Sequence, residues 1–169
     1  MASTHQSVDT GLALAGEGES LIGYHVGICV TDIDKARDFY VGVLGFKEAW
    51  RLDAMSGPLV DAHSGIPGST VWVSQLIVPG GSRIEFHQYD PPGPTSDFEI
   101  HRQGLNHISW HVKDVDAEFA RLKQAGVRIK REPIDQDIPD HPAGGYRVGF
   151  FYDPWGLILE LYGPMQTTE

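Results

Sequence analysis

The sequence predicts an α+β fold built from two modules, each with the order β-α-β-β-β. The first observation is an internal repeat, because segment 24–34, YHVGICVTDID, returns at 106–116 as NHISWHVKDVD. The second is that a short helical pattern follows each copy and ends at a glycine, Gly45 or Gly126, before strand patterns begin. Two modules of one kind therefore account for most of the chain.

The first module is predicted to span 21–89. Residues 21–30 are mostly apolar or β-branched, so we expect a largely buried strand. Asp32 or Asp34 is expected to cap the helix that follows. The remaining predicted elements are strands at 46–52, 70–78 and 82–89, a loop at 56–68 and a turn at 79–81.

The second module is predicted to span 105–163 and to repeat this order. Phe119 and Leu122 are expected to face inward from its helix. Its predicted elements are a strand at 105–112, a helix at 116–125, a strand at 127–131, a loop at 132–145 and a hairpin of strands at 146–152 and 157–162. Around the modules we expect a flexible N-terminal arm at 1–20, a linker at 90–104 and a tail at 164–169, which leaves 21–163 as one domain.

Composition excludes several classes of function. The chain has 23 acidic and 13 basic residues and a formal charge of -10, which disfavours binding to nucleic acid or to an anionic membrane. No apolar run approaches the roughly 20 residues that a membrane helix needs. Its single cysteine cannot form an internal disulfide, and the N-terminus does not resemble a secretory signal. We therefore expect a cytoplasmic protein that acts on a small molecule.

Two glutamates lie in the middle of apolar strand patterns, where burial of a charged carboxylate costs free energy. Glu85 lies in the apolar pattern RIEF and Glu160 in ILEL, and a buried carboxylate must be paired or bound to a cation. His25 and His107 occupy matched positions in the first strands of the two modules. If equivalent strands line one cavity, these four side chains form a ligand set for Zn, Ni, Co, Mn or Fe. The sequence therefore predicts one divalent metal ion.

A single histidine in a strand is more often a hydrogen-bonded core residue than a metal ligand. Here a histidine and a glutamate recur in register across an internal repeat. That recurrence favours the metal-site hypothesis over a structural role for each residue alone.

Several motifs carry a resemblance to a known superfamily. They are His25 followed by VTDIDKARDFY at 30–40, LGF at 44–46, NHI at 106–108, and YDPWG at 152–156 before LEL at 159–161. With these motifs the chain resembles the vicinal oxygen chelate superfamily. This group includes glyoxalase I, methylmalonyl-CoA epimerase, extradiol dioxygenases, and the fosfomycin and bleomycin resistance proteins.

The resemblance covers about 21–163. It implies paired βαβββ modules that form a cup-shaped, mostly antiparallel sheet around a metal site. It also implies that His25, Glu85, His107 and Glu160 are the metal ligands. Because dimers are common in this superfamily, the resemblance implies a homodimer.

At several positions this sequence differs from particular members of the superfamily, and these differences restrict the function that the resemblance implies. Cys29, which we interpret as an inert buried thiol, stands where glyoxalase I proteins generally have an arginine for glutathione. Glu85 occupies a ligand position where methylmalonyl-CoA epimerases commonly have glutamine, and which extradiol dioxygenases and fosfomycin-modifying enzymes do not use. Bleomycin-type binding modules generally lack the ligand set. These features favour a lyase, isomerase or epimerase.

The expected chemistry is proton transfer next to a metal-chelated oxygen pair, through an enolate-like intermediate. Glu160 or Glu85 is the candidate base. His87 and His111 share strand faces with Glu85 and His107, so they are alternative proton carriers or partners of the ligands.

Aromatic residues are expected to line the substrate pocket. Arg147 is a candidate for binding a substrate carboxylate, with a solvated surface arginine as the alternative. The aromatic candidates are Trp50, Trp72, Trp110, Phe150, Tyr152 and Trp155. Two other functions stay open at this point, an Fe(II) or Mn(II) ring-cleaving dioxygenase and a binding protein for an aromatic compound.

Overall fold

A computed structural model describes residues 23–96, 98–101, 103–138, 140 and 142–165 of the chain. The predicted arm at 1–20 lies outside the described residues, as does the tail beyond residue 165. The chain divides between Pro94 and Thr95 into two compact units. Among the described residues no helix is long and apolar enough to cross a membrane.

The first unit contains one four-stranded mixed sheet. Its strands follow the order β1-β4-β3-β2, in which β1 pairs parallel with β4 and the other two pairings are antiparallel. Its elements are β1 (His25–Cys29), α1 (Ile33–Arg37) with a π-helical continuation (Asp38–Val43), β2 (Lys47–Ser56), α2 (Pro58–Ser64), β3 (Thr70–Ile77) and β4 (Arg83–Asp90).

The second unit repeats this topology. Its sheet order is β5-β8-β7-β6, again with one parallel pairing, β5 with β8, and two antiparallel pairings. Its elements are β5 (Ile108–His111), α3 (Val115–Gln124), β6 (Ile129–Asp137), β7 (Gly145–Tyr152) and β8 (Ile158–Gly163). The predicted α+β class and the β-α-β-β-β order are therefore confirmed.

Matched aspartates begin the first helix of each unit. The side chain of Asp32 accepts a hydrogen bond from the Lys35 backbone N–H, and that of Asp114 accepts one from the Ala117 N–H, both at 2.9 Å. These bonds satisfy donors that have no partner inside the helix. Asp32 is thus the cap that the sequence left undecided between two aspartates.

Each helix covers one face of its own sheet. In the first unit the ring of Tyr40 is fully buried, with its centroid 4.7 Å from that of Phe86. In the second unit Phe119 packs edge-to-face against Phe151 with centroids 6.1 Å apart. One face of each sheet is therefore core, and the polar candidate residues have to be sought on the other face.

Three local predictions are wrong. The predicted loop at 56–68 contains α2, whose first residue, Pro58, provides a preset backbone angle where no N–H donor is needed. The strand predicted at 127–131 runs instead from Ile129 to Asp137. The first strand is mostly exposed rather than buried, because β1 pairs only with β4 and lies at the sheet edge; of its five residues only Ile28 is buried.

Candidate functional site

The parallel pairing of first and last strands brings a histidine and a glutamate together in the first unit. Gly27 pairs with Glu85, so His25, two residues earlier, lies on the same face of the sheet. The Nε2 atom of His25 lies 3.7 Å from Oε1 of Glu85, and the glutamate side chain is only 13% exposed.

The second unit builds the same pair by the same register. Ser109 pairs with Glu160, and His107 precedes Ser109 by two residues. The Nε2 atom of His107 lies 3.6 Å from Oε2 of Glu160, and this glutamate side chain is 14% exposed. The repeat in the sequence is therefore also a repeat of geometry, with nearly equal distances and burial.

The distances within the pairs fit shared coordination better than direct hydrogen bonding. Separations of 3.7 and 3.6 Å exceed the usual N–H···O range of about 2.7–3.2 Å. Two atoms that each bind one ion at about 2.0–2.2 Å can lie up to about 4.4 Å apart. Imidazole nitrogen and carboxylate oxygen also suit the transition metals predicted from the sequence. Each His–Glu pair thus fits two ligands of a divalent ion.

Each unit by itself offers two of the four predicted ligands. No group of three or more His, Cys, Asp or Glu side chains among the described residues is arranged to hold a metal ion. That the two pairs bind a single ion stays a prediction.

Glu85 is fixed by a chain of polar side chains on the same sheet face. Gln75 donates from Nε2 to Oε2 of Glu85 at 2.9 Å, and Arg83 donates from Nη1 to Oε1 of Gln75 at 2.8 Å. Tyr24 OH donates to the same Gln75 oxygen at 3.4 Å. Both Gln75 and Arg83 are buried, so Arg83 supports the Glu85 carboxylate through the Gln75 amide. The sequence analysis did not identify either residue. The signal was a polar side chain in each of two apolar strand patterns, Gln75 at 70–78 and Arg83 two residues before Glu85.

Glu160 and His107 have different support. Ser109 donates from Oγ to Oε1 of Glu160 at 2.5 Å. Nδ1 of His107 contacts Oδ1 of Asn106, whose amide nitrogen in turn contacts the carbonyl of Ile100. An acceptor at Nδ1 places the proton there and leaves the Nε2 lone pair toward Glu160, the tautomer that a metal ligand requires.

His87 extends the Glu85 site. Its Nε2 lies 3.2 Å from Oε1 of Glu85, and its ring stacks on Tyr89 with centroids 6.2 Å apart. Burial lowers the pKa of His87 below its usual value, while the Glu85 carboxylate acts in the opposite direction. The predicted position of His87 on the face of Glu85 is confirmed.

A cavity of about 350 Å³ lies beside His87 and Glu85 in the first unit. Helix α2 forms one wall, and strands β2 and β3 supply apolar side chains. The lining residues are Trp50, Leu52, Met55, Leu59, Val60, His63, Ser64, Val71, Val73, Glu85, His87 and Tyr89. Trp50, an aromatic candidate from the sequence, does line this cavity, whereas α2 was not foreseen.

Trp72 does not lie on the Glu85 face. It pairs with Gln88, whose side-chain oxygen accepts a hydrogen bond from the backbone of Ile33 at the start of α1. The neighbours Val71 and Val73 face the cavity instead. Because side chains alternate along a strand, Trp72 belongs to the helix-covered face, and we withdraw it as a substrate-binding residue.

Arg147 is also on the wrong face for substrate. Its guanidinium makes two hydrogen bonds to Asp116 of α3, at 2.5 and 2.7 Å, and lies 3.3 Å from Asp135. These two carboxylates raise the pKa of Arg147 above its usual value, against a smaller opposing effect of desolvation. It pairs with Gly163, three residues from Glu160, and so points to the opposite side of the sheet. Neither predicted role holds, because Arg147 joins β7 to its helix.

Phe150 and Tyr152 share the Glu160 face but differ in their contacts. Phe150 pairs with Glu160, and its ring is 5.8 Å from the ring of His107, so it borders the second His–Glu pair. The Tyr152 hydroxyl accepts a hydrogen bond from Lys130 Nζ at 3.0 Å, and the Arg128 guanidinium lies 3.8 Å over its ring. Tyr152 thus contacts two basic side chains, and its role in substrate binding stays a prediction.

His111 and Cys29 occupy equivalent ends of β5 and β1. His111 is exposed, with its ring 5.2 Å from that of Tyr162. Cys29 pairs with His87 and is exposed, so the interpretation of a buried thiol is wrong. The role of His111 as a proton carrier therefore stays a prediction.

Two βαβββ units, each with a His–Glu pair joining its first and last strands, define the vicinal oxygen chelate class of fold. A model of the Glyoxalase/Bleomycin resistance protein/Dioxygenase superfamily matches residues 24–161. The chain therefore belongs to that superfamily.

Comparison with individual proteins gives relatives in several organisms. A 2-epi-5-epi-valiolone epimerase from Actinomyces sp. is 33% identical over 82% of this chain and 76% of its own length. An ethylmalonyl-CoA/methylmalonyl-CoA epimerase from Cereibacter sphaeroides is 26% identical over 81% of this chain and 93% of its own. The crystal structure of a glyoxalase family protein from Bacillus cereus covers 90% of this chain and all of its own, with a TM-score of 0.73 and 22% identity, which supports the fold.

Proposed function

We propose that this protein is a divalent-metal-dependent isomerase of the epimerase type, acting on a small oxygenated substrate through an enolate-like intermediate. The observation that carries the proposal is the repeated His–Glu pair, with N···O separations of 3.7 and 3.6 Å and nearly equal burial. Two relatives named as epimerases support the reaction type within a superfamily that also includes dioxygenases and resistance proteins.

In this proposal His25, Glu85, His107 and Glu160 hold one Zn, Ni, Co, Mn or Fe ion. When bound, such an ion would chelate two neighbouring substrate oxygens and stabilise negative charge that develops on them. Glu85 keeps its orientation through Gln75 and Arg83, and His107 keeps its tautomer through Asn106.

An epimerase that removes a proton and returns it to the opposite face of the same carbon needs two proton carriers. Among the residues that the sequence indicated, Glu160 and His87 are the candidates for these roles. Oε1 of Glu160 accepts a hydrogen bond from Ser109, whereas Oε2 lies 3.6 Å from Nε2 of His107 and is the oxygen that we assign to metal or proton. His87 faces the cavity at 3.2 Å from Glu85. Glu85 is the better-restrained carboxylate and serves as ligand rather than base.

Metal binding is the first test. We expect protein purified without chelator, or apo-protein titrated with Ni, Co, Zn or Mn, to bind one ion per chain by calorimetry and elemental analysis. Glu85→Gln should lose most of the metal, because it removes a charged ligand, while Glu132→Gln, at an exposed residue, should not. Failure of the wild-type chain to take up any metal would contradict the proposal and favour a binding protein for an aromatic compound.

Reaction type is tested in D2O. Proton NMR of candidate substrates, including cyclitol ketones and 2-substituted malonyl thioesters, should show metal-dependent deuterium incorporation at the carbon next to the carbonyl. Glu160→Gln and His87→Phe should each slow this exchange. Ferrous-iron-dependent oxygen consumption with catechols, without such exchange, would instead identify a ring-cleaving dioxygenase.

A further inference from the structure

We propose that the first unit binds the non-reacting, apolar part of the substrate in the cavity between its sheet and α2. The ligand class is a compound with two neighbouring oxygens attached to a compact uncharged group, such as a phenyl ring or a branched alkyl group. This inference rests on the proposed function for the oxygen pair, but the apolar site can be tested without metal.

The cavity has the size and polarity of a small-molecule site. Its volume of about 350 Å³ falls at the lower end of ordinary ligand pockets, roughly 300–1,000 Å³. Apolar walls come from β2, β3 and α2, and Glu85 and His87 share the lining. A ligand whose polar part reaches Glu85 would therefore place its attached group against Val71, Val73 and Met55.

Charge limits what this group can be. Of the described residues that line the cavity, none is lysine or arginine, and Glu85 is the carboxylate among them. A phosphate or carboxylate placed against the apolar walls would lose water without gaining a lysine or arginine partner. The cavity therefore selects an uncharged substituent, and any anionic part of a substrate must lie elsewhere.

On the described part of the second unit, the equivalent sheet face is covered by side chains. On the face of Glu160 its sheet carries a cluster of Val148, Phe150 and Ile158. The partly buried side chains that pack on this cluster are Phe98, Ile134, Tyr146 and Tyr152. Val148 corresponds by strand register to Val73, whose side chain lines the cavity in the first unit. The sheet faces that carry the two His–Glu pairs therefore differ. In the second unit side chains of the chain itself cover the face, and in the first unit a cavity lies there.

Helix α2 is the element that makes this difference. It occurs between the second and third strands of the first unit, and the described residues of the second unit have no helix at the matching place. Val60 and Leu59 project from α2 into the cavity lining, whereas Ala62 on the same helix does not line it and is exposed. The helix therefore offers both a test position and a matched control.

Acetohydroxamate and benzohydroxamate are the probes, because each chelates a divalent ion through two neighbouring oxygens and they differ in the attached group. With nickel-loaded protein we expect benzohydroxamate to bind about tenfold more tightly or better, since burial of a phenyl ring contributes that much. Equal dissociation constants, within about threefold, would overturn the inference while leaving the metal-dependent function intact.

Two substitutions locate the effect. Val60→Trp fills the cavity and should reduce the preference for benzohydroxamate to less than about threefold, and Val60→Gln should reduce it by making the wall polar. Ala62→Trp should leave the preference unchanged. Thermal unfolding of all three variants checks that they are folded, and an undiminished preference in both folded Val60 variants would contradict the inference.

A metal-free measurement separates this inference from the proposed function. In chelator-treated protein labelled at the methionine methyl groups with carbon-13, benzohydroxamate should shift the signal of Met55, and acetohydroxamate should not. If no metal binds but Met55 responds in this way, the apolar site stands and the metal-dependent function fails. Absence of the Met55 response at millimolar benzohydroxamate would overturn the site.

Discussion

The amide nitrogen of Gln75 donates a hydrogen bond to Oε2 of Glu85 at 2.9 Å. Its direction is determined by Arg83, which can only donate and does so to the Gln75 oxygen at 2.8 Å. The amide must therefore present its NH2 group to Glu85. One carboxylate oxygen is held in this way, and the other faces the two imidazoles of His25 and His87.

Gln75→Leu should weaken metal binding about 10- to 100-fold, the usual effect of removing a partner that orients a ligand. The measurement is a competition titration of the apo-protein with a coloured chelator. Gln124→Leu, at an exposed position of α3, serves as the control and should not change the affinity. An unchanged affinity in folded Gln75→Leu protein would show that Glu85 does not depend on this bond.

Asn106 should control the tautomer of His107. Asn106→Ala removes the acceptor at Nδ1 and is expected to weaken metal binding by about tenfold or more, whereas Asn106→Asp keeps an acceptor and should retain the affinity. Nitrogen-15 NMR of the histidine ring reports the tautomer directly. Equal affinities for the two variants would contradict this role.

Arg147→Met should affect stability and not ligand binding. The guanidinium is 14% exposed and bonded to Asp116 and Asp135, so its loss should cost about 1–3 kcal/mol of unfolding free energy. Denaturant unfolding measures the loss, and exposed Arg131→Met is the control. Hydroxamate affinity of the metal-loaded variant should equal that of the wild type; a selective loss of affinity would return Arg147 to the substrate site.

Gly149 is required by the packing of α3. A Cβ atom at this position would lie 2.5 Å from Cζ of Phe119, a fully buried ring. Gly149→Ala should therefore destabilise the protein by about 1–3 kcal/mol. Gly42→Ala, where the added atom meets nothing within 4 Å, should be neutral or slightly stabilising. Urea unfolding of both variants makes the comparison, and equal stabilities would contradict the packing shown by β7 and α3.

The sequence predicted those features that depend on local pattern and repetition. The order of elements along the chain, the cap of the first helix and the matched His–Glu positions all follow from residues within one repeat, and the structure places them as expected. Phe46 and Val127 also follow the glycines that end each helix, as the repeat required.

A local sequence pattern does not determine which face of the sheet a side chain occupies, or which residue of a distant strand it pairs with. Trp72 and Arg147 were chosen for side-chain chemistry, but their side of the sheet depends on register with a distant strand, which a sequence does not display. The sequence predicts a loop from residue 132, yet Pro133 lies within β6, where the pairing of β6 with β7 shifts register between Arg131 and Ile134. An edge strand tolerates proline at such an irregularity.

The parallel pairing of β1 with β4 links formation of the ligand pair to completion of the unit. His25 and Glu85 come from opposite ends of the unit's sequence and meet only because Gly27 and Glu85 are strand partners. The same relation holds between His107 and Glu160 through Ser109. A growing or partly unfolded unit therefore has no His–Glu pair until its last strand has joined the first. Under the proposed function, affinity for metal would therefore report whether the polypeptide has finished folding.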